Sequence, residues 1–186
     1  MIGHVLERSL RRALSGAVGK TLFPLLVGVM ALGSTVTMSL PFAPILVFAV
    51  LLQPARAGRT VLAAALGSAV GGVLLYLMFH HWGWNTVIAK YPELVHGLAW
   101  REATAWLSRE GVMALGVIAA TPLPDTPGLL YAAIAHLSPF AIFLALLAGK
   151  LLKFSVYAAA AVKFPERFRD WFGEEGGFSR PRARSG

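Results

Sequence analysis

The chain contains no cysteine. Disulfides, thiolate nucleophiles and Cys-based metal sites are therefore excluded, and the redox compartment is left open. Charge is scarce as well: 14% of the 186 residues are charged and 56% are hydrophobic, whereas soluble domains run near a quarter charged. Such a chain is too apolar for a water-soluble domain, and the bilayer is the solvent that fits. Acidic groups are the rarer sign, nine against seventeen Lys and Arg, for a net charge of +8. The basic residues collect at the two ends and in short loops, a pattern of anchoring to anionic headgroups on the cytoplasmic side rather than of nucleic-acid binding. The chain also lacks HExxH, Gly-x-Ser-x-Gly, a P-loop and any Gly-x-Gly-x-x-Gly opening a βαβ unit. No soluble-enzyme site is expected, nor a metal or a cofactor.

What is present is a series of apolar segments. Leu6, Leu10, Leu14 and Val18 recur at helical spacing opposite Arg8, Arg11 and Arg12, so residues 1–19 read as an amphipathic helix lying in the interface. The rival, a signal peptide cleaved near Gly33, would need an unusually long basic leader. Residues 21–52 carry no charge over 32 positions, too long for one span, and Pro41 and Pro44 interrupt them. They are expected to form a re-entrant hairpin over 20–54. After the basic turn of Arg56, Gly58 and Arg59, residues 60–82 have spanning length, with Gly67, Gly71 and Gly72 making a face for close helix packing. Residues 83–110 mix Trp84, Tyr91, Trp100 and Trp106 with charges, just after Trp82, and suit an interfacial linker helix. Residues 111–136 are broken by Pro122, Pro124 and Pro127 into arms too short to cross, hence a second re-entrant hairpin. Residues 138–162 form a second span, and the basic tail 164–186 reads as cytoplasmic and disordered.

Leu40-Pro41-Phe42-Ala43-Pro44 and Leu123-Pro124-Asp125-Thr126-Pro127 share a Leu-Pro-x-x-Pro pattern 83 residues apart. From the last proline of each it is 23 residues to Gly67 and 22 to Gly149. The expected fold is therefore all-α and polytopic, with two copies of a Pro-broken hairpin plus a transmembrane helix. The loop charges give the copies opposite orientation and put both termini in the cytoplasm.

Asp125 is the one acidic residue within an apolar segment. At membrane depth a carboxylate needs a partner or a cavity, which makes it a candidate for function; the alternative is a headgroup-level residue shaping a Pro-rich turn. Lys150 stands about 18 Å along its helix, with Lys153 and Tyr157 on nearly the same stripe. These four residues are the candidate substrate-binding set, and an anion beside the two ammonium groups would relieve their repulsion. The alternative is snorkelling, easy for Lys153 and long for Lys150. His80 and His81 are candidates for a proton relay or, beside Trp82, simple interfacial residues. Hairpin tips at Pro41, Pro44, Pro122, Pro124 and Pro127, and packing at Gly67, Gly71, Gly72 and Gly149, complete the set.

Leu66-Gly67-Ser68-Ala69-Val70-Gly71-Gly72 followed by Tyr76, His80 and Gly83 resembles the Gly-rich helix of the DedA, or VTT-domain, superfamily, once called SNARE-associated membrane proteins. Thr121 to Pro127 and Gly149-Lys150-Leu151-Leu152-Lys153 resemble its second re-entrant segment and its Gly-Arg-x-x-Arg-like helix, with the YqaA-like branch nearest. The resemblance implies two opposed re-entrant hairpins and transport of a lipid phosphate, undecaprenyl phosphate or phospholipid, between leaflets of the bacterial inner membrane. Membrane lipids are then the partners, with room for a homo-oligomer. Three departures stand out: Ile45 and Leu46 follow Pro44 where the family has an acidic residue, Ala119 and Ala120 replace an expected arginine, and His80 and His81 stand where the family tends to arginine after the Gly-rich helix. Proton coupling by the family's usual route would lack its residues here. The other readings are a proton-coupled small-solute or anion transporter, and a structural or assembly protein without transport.

Overall fold

The computed structural model describes residues 22–37, 42–82, 89 and 98–164. The expected amphipathic helix 1–19, Pro41, most of the 83–97 stretch and the tail beyond 164 lie outside the described residues. Within them every element is helical, as expected of apolar runs that must satisfy their own backbone hydrogen bonds in a bilayer, and no strand occurs among the described residues. The order is α1 (Phe23–Thr37), α2 (Phe42–Leu52), a 3-10 turn (Pro54–Arg56), α3 (Ala57–Trp82), α4 (Leu98–Glu110), α5 (Val112–Ala120), α6 (Thr126–Ile134) and α7 (Pro139–Lys163).

Two helices, α3 with its preceding turn and α7, are long and apolar enough to cross a membrane. At 1.5 Å per residue they reach about 39 and 38 Å, whereas α1, α2, α5 and α6 reach only about 22, 17, 14 and 14 Å. The first long helix starts earlier than the residue pattern alone places it. Pro54, with no N–H to satisfy, opens the 3-10 turn; the α-helix continues at once from Ala57, and the Thr60 hydroxyl donates to the Arg56 carbonyl at 3.1 Å. Gly58 and Arg59 are thus helical residues rather than a turn.

The packing is an exchange between the two halves. Helix α1 lies on α3 and α5 lies on α7, while α2 packs against α7, α6 packs against α3, and the two long helices pack on each other. Two apolar clusters result. One joins Phe23, Val27 and the α2 residues Leu46 and Val50 to Val61, Ala64 and Ala65 of α3 and to Phe154, Ala158 and Ala161 of α7. The other joins Leu75, Tyr76 and Phe79 of α3 to Leu115, Leu129, Leu130, Ile142 and Leu146. The first half of α3 therefore shares a core with the last half of α7, and the reverse holds for the second core, so the long helices run antiparallel. Their midpoints lie between the clusters.

Glycines set the closest approaches. A Cβ at Gly67 would stand 1.9 Å from the Gly28 carbonyl oxygen of α1, and one at Gly149 would stand 2.3 Å from the Gly116 carbonyl oxygen of α5. Without side chains at these points the backbones touch, and each short helix is drawn tightly onto its long one. Gly71 meets Leu32 and Thr35 in the same way, whereas Gly72 faces the flexible end of Leu146. The linker helix α4 packs on α5 and α6 and buries Leu107 while leaving Trp106 exposed.

Candidate functional site

The short loop between α5 and α6 is built to hold one carboxylate off its own helix. Thr121 ends α5 in an extended conformation. Its hydroxyl donates to the Ile118 carbonyl at 2.8 Å and accepts from the Leu123 N–H at 3.4 Å. Pro122 and Pro124 have no N–H and cannot continue a helix. Asp125 then occupies the N-cap position of α6, yet its side chain caps nothing. The usual use of an aspartate there, accepting the exposed N–H groups of the first turn, is forgone, and the carboxylate turns to α7 instead.

On α7, Lys150 comes directly after the glycine that lets the helix press against the end of α5. That close approach carries Lys150, 8% exposed, to the loop, where its ammonium donates to Asp125 Oδ2 in a buried ion pair. The other oxygen, Asp125 Oδ1, is buried with no hydrogen-bond partner. A buried pair of this kind gains little net stability over apolar packing, yet loss of either partner leaves a stranded charge. Lys153, one turn further on, is half-buried. The local sum of the three groups is one positive charge.

All three groups face a cavity of about 400 Å³, within the range of ~300–1,000 Å³ usual for small-molecule sites. Its walls come from both halves of the chain. Helices α1 and α3 give Ser34, Thr35, Ser68 and Leu75; the start of α2 gives Phe42 and Ala43; the loop and the start of α6 give Pro122 to Thr126; α7 gives Lys150, Lys153, Phe154 and Tyr157. Phe42 and Phe154 of this lining pack on each other with ring centroids 5.7 Å apart. Across the α1–α3 contact, Thr35 Oγ1 and Ser68 Oγ lie 2.9 Å apart.

The structure brings the expected binding set Asp125, Lys150, Lys153 and Tyr157 together at this cavity, with Pro122 and Pro124 in its wall. Pro44 and Pro127 sit in the first turns of α2 and α6. Gly67, Gly71, Gly72 and Gly149 all pack within the chain. His80 and His81 are elsewhere, exposed at the far end of α3. His80 stacks on Tyr76 with centroids 5.8 Å apart and meets His136 edge-on at 4.9 Å, and the Tyr76 hydroxyl donates to the Leu137 carbonyl at 2.7 Å. Sequence reasoning missed the first-half contribution, Ser34, Thr35, Ser68 and Phe42, together with the α7 residue Phe154. The hydroxyls inside an uncharged run were the available signal, but Ser and Thr are common in apolar helices and point to no site by themselves. Among the described residues no three His, Asp or Glu gather to hold a metal. No protein-family model, no curated protein and no solved structure matches the chain.

Proposed function

We infer that the protein is a polytopic membrane protein that moves a lipid phosphate between leaflets, as a flippase or scramblase of the bacterial inner membrane. The observation that carries this reading is the cavity at the midpoints of α3 and α7, where Lys150, Lys153 and Asp125 gather. Ionisable groups at that depth of a membrane domain serve transport or coupling far more often than architecture. An anion entering beside Lys153 would compete with Asp125 for Lys150. The carboxylate thus holds the site when it is empty and gives way to a headgroup phosphate. Lysines, as flexible point charges, suit a substrate that must leave again.

The architecture supports an inverted repeat. Each half is a pair of short helices plus a long one, the long helices run antiparallel, and the second short helix of each half packs on the long helix of the other. Helices of about 14 to 22 Å fall short of a ~30 Å hydrocarbon core, which fits re-entrant hairpins for α1–α2 and α5–α6. The first residues of α2 and α6 both line the cavity, so two positive helix ends face the place where an anion would sit. Arg56 and Arg59 at the start of α3 and Lys163 at the end of α7 fall at the same end of the antiparallel pair. That end is assigned to the cytoplasm, with both termini. The resemblance to the DedA superfamily points the same way.

Reconstitution tests the reading. Full-length protein in vesicles should accelerate the movement of acyl-labelled anionic lipid, and Lys150→Ala and Asp125→Ala should each slow it at least tenfold. Both variants moving lipid at the unmutated rate would refute the site. A soluble anion that is itself taken up, with lipid movement absent, would favour the small-anion transporter instead. The assembly reading has less support, because the Gly67 and Gly71 face that a partner would need is already filled by α1.

A further inference from the structure

The part of the cavity lining that α1 and α3 supply has a hydrogen-bonding sense of its own. Thr35 has a single hydroxyl proton, and it goes to the Ala31 carbonyl at 2.9 Å. The contact of 2.9 Å between Thr35 Oγ1 and Ser68 Oγ must then use the serine's proton. Both protons are spent, and what the two hydroxyls have left to offer is lone pairs. Ser68 is 3% exposed, and both residues line the cavity. One wall therefore donates, through the ammonium groups of Lys150 and Lys153, and the other accepts.

We propose that the Thr35–Ser68 pair is a second subsite that accepts a hydrogen bond from a hydroxyl or ammonium group lying beyond the phosphate of the headgroup. This subsite rests on the lipid-phosphate reading and narrows it. The ligand class it selects is a phosphodiester lipid whose headgroup ends in a donor, a glycerol or an ethanolamine, over one whose phosphate carries only an alkyl group. The cavity is lined by both sets of groups, and at about 400 Å³ it has the volume for a phosphate at the lysines and a short polar arm extending to the hydroxyls. A bare phosphate would leave the accepting wall unpaired. A donor-bearing headgroup satisfies it, and a site built to pair a donor discriminates against the analogue that lacks one.

The experiment uses the full chain in phosphatidylcholine vesicles, with acyl-labelled phosphatidylglycerol, phosphatidylethanolamine and phosphatidylmethanol as separate probes. The unmutated protein is expected to move phosphatidylglycerol or phosphatidylethanolamine about fivefold faster than phosphatidylmethanol, the worth of roughly one net hydrogen bond. Preference for the first alone assigns the subsite to a hydroxyl donor and preference for the second alone to an ammonium. Ser68→Ala should bring the ratio close to one, and Ser68→Thr, which keeps the hydroxyl, should restore it. Equal movement of the three lipids by unmutated protein overturns the subsite while leaving the transport reading in place. So does a Ser68→Ala variant that slows every lipid alike, since a merely structural hydroxyl would do that. Movement of all three at the rate of protein-free vesicles overturns the transport reading, and the subsite with it.

Discussion

The two halves of the molecule use the same backbone device to place different chemistry. In the first, Gly67 lets α3 touch the backbone of α1 and the next residue, Ser68, reaches Thr35. In the second, Gly149 lets α7 touch the backbone of α5 and the next residue, Lys150, reaches Asp125. The parallel runs on along the helices at a constant offset: Gly71 stands where Lys153 does, and Leu75 where Tyr157 does. At the hairpins, Phe42 and Ala43 hold the places of Asp125 and Thr126, and both pairs line the cavity. Close glycine contact is thus a framework that the two halves share, and the side chain next to each glycine sets the chemistry of its wall. The first half is the neutral, accepting wall and the second the charged one. A substrate that satisfies both must itself be polar at two points.

The comparison breaks most directly at the glycines. Gly67→Ala forces a methyl group against a backbone carbonyl that cannot move aside without α1, and a loss of about 3 kcal/mol or more is expected, read as a collapse of the folded fraction in detergent. Gly149→Ala should show a somewhat smaller loss, since its contact is less severe at 2.3 Å against 1.9 Å. Gly72→Ala, which meets only a leucine methyl, should be the mildest of the three. Should Gly67→Ala melt with the unmutated protein, the shared framework is wrong.

The ion pair is expected to matter as much as the Gly67 contact. Asp125→Ala leaves Lys150 buried and uncompensated and should cost about 3–5 kcal/mol, whereas the double variant Asp125→Ala with Lys150→Met should regain most of it. Thermal melts of the two single variants and the double close the cycle; additive losses would mean that the pair is not coupled. The charged wall should also fail alone in transport: Lys153→Ala should slow lipid movement by about tenfold, an effect of the ~1.4 kcal/mol order of a charge-assisted contact, with the melting temperature nearly unchanged because the side chain is only half-buried. The smallest expected effect lies outside both walls. Tyr76→Phe removes the hydrogen bond to Leu137 and should lower stability by about 1 kcal/mol without altering transport.

Much of the outline is legible in the residues. Apolar runs of different lengths separate the two long helices from the four short ones, because proline at positions 44, 122, 124 and 127 cannot sit in the interior of a continuous helix. Asp125, Lys150 and Lys153 stand out because a charge in an apolar segment is costly and needs a reason. The start of α3 is less legible, since Gly58 and Arg59 look like turn residues and only the Thr60 and Arg56 contact shows them to be helical. The histidines draw notice for their titration, yet His80 pairs with His136, a neighbour more than fifty positions away that no local pattern announces.

By itself, then, the sequence determined the helical class, the breaks and the charged candidates, all of which come from short-range rules: the length of apolar runs, proline sterics and the cost of burying charge. Only the tertiary structure decided that α2 crosses to α7 and α6 to α3, that the long helices run antiparallel, and that Thr35 and Ser68 line the same cavity as the lysines. The reason is physical. Which helix covers which depends on where two backbones can touch, and that is a property of a pair of glycines 39 or 33 residues apart, invisible until both are in place.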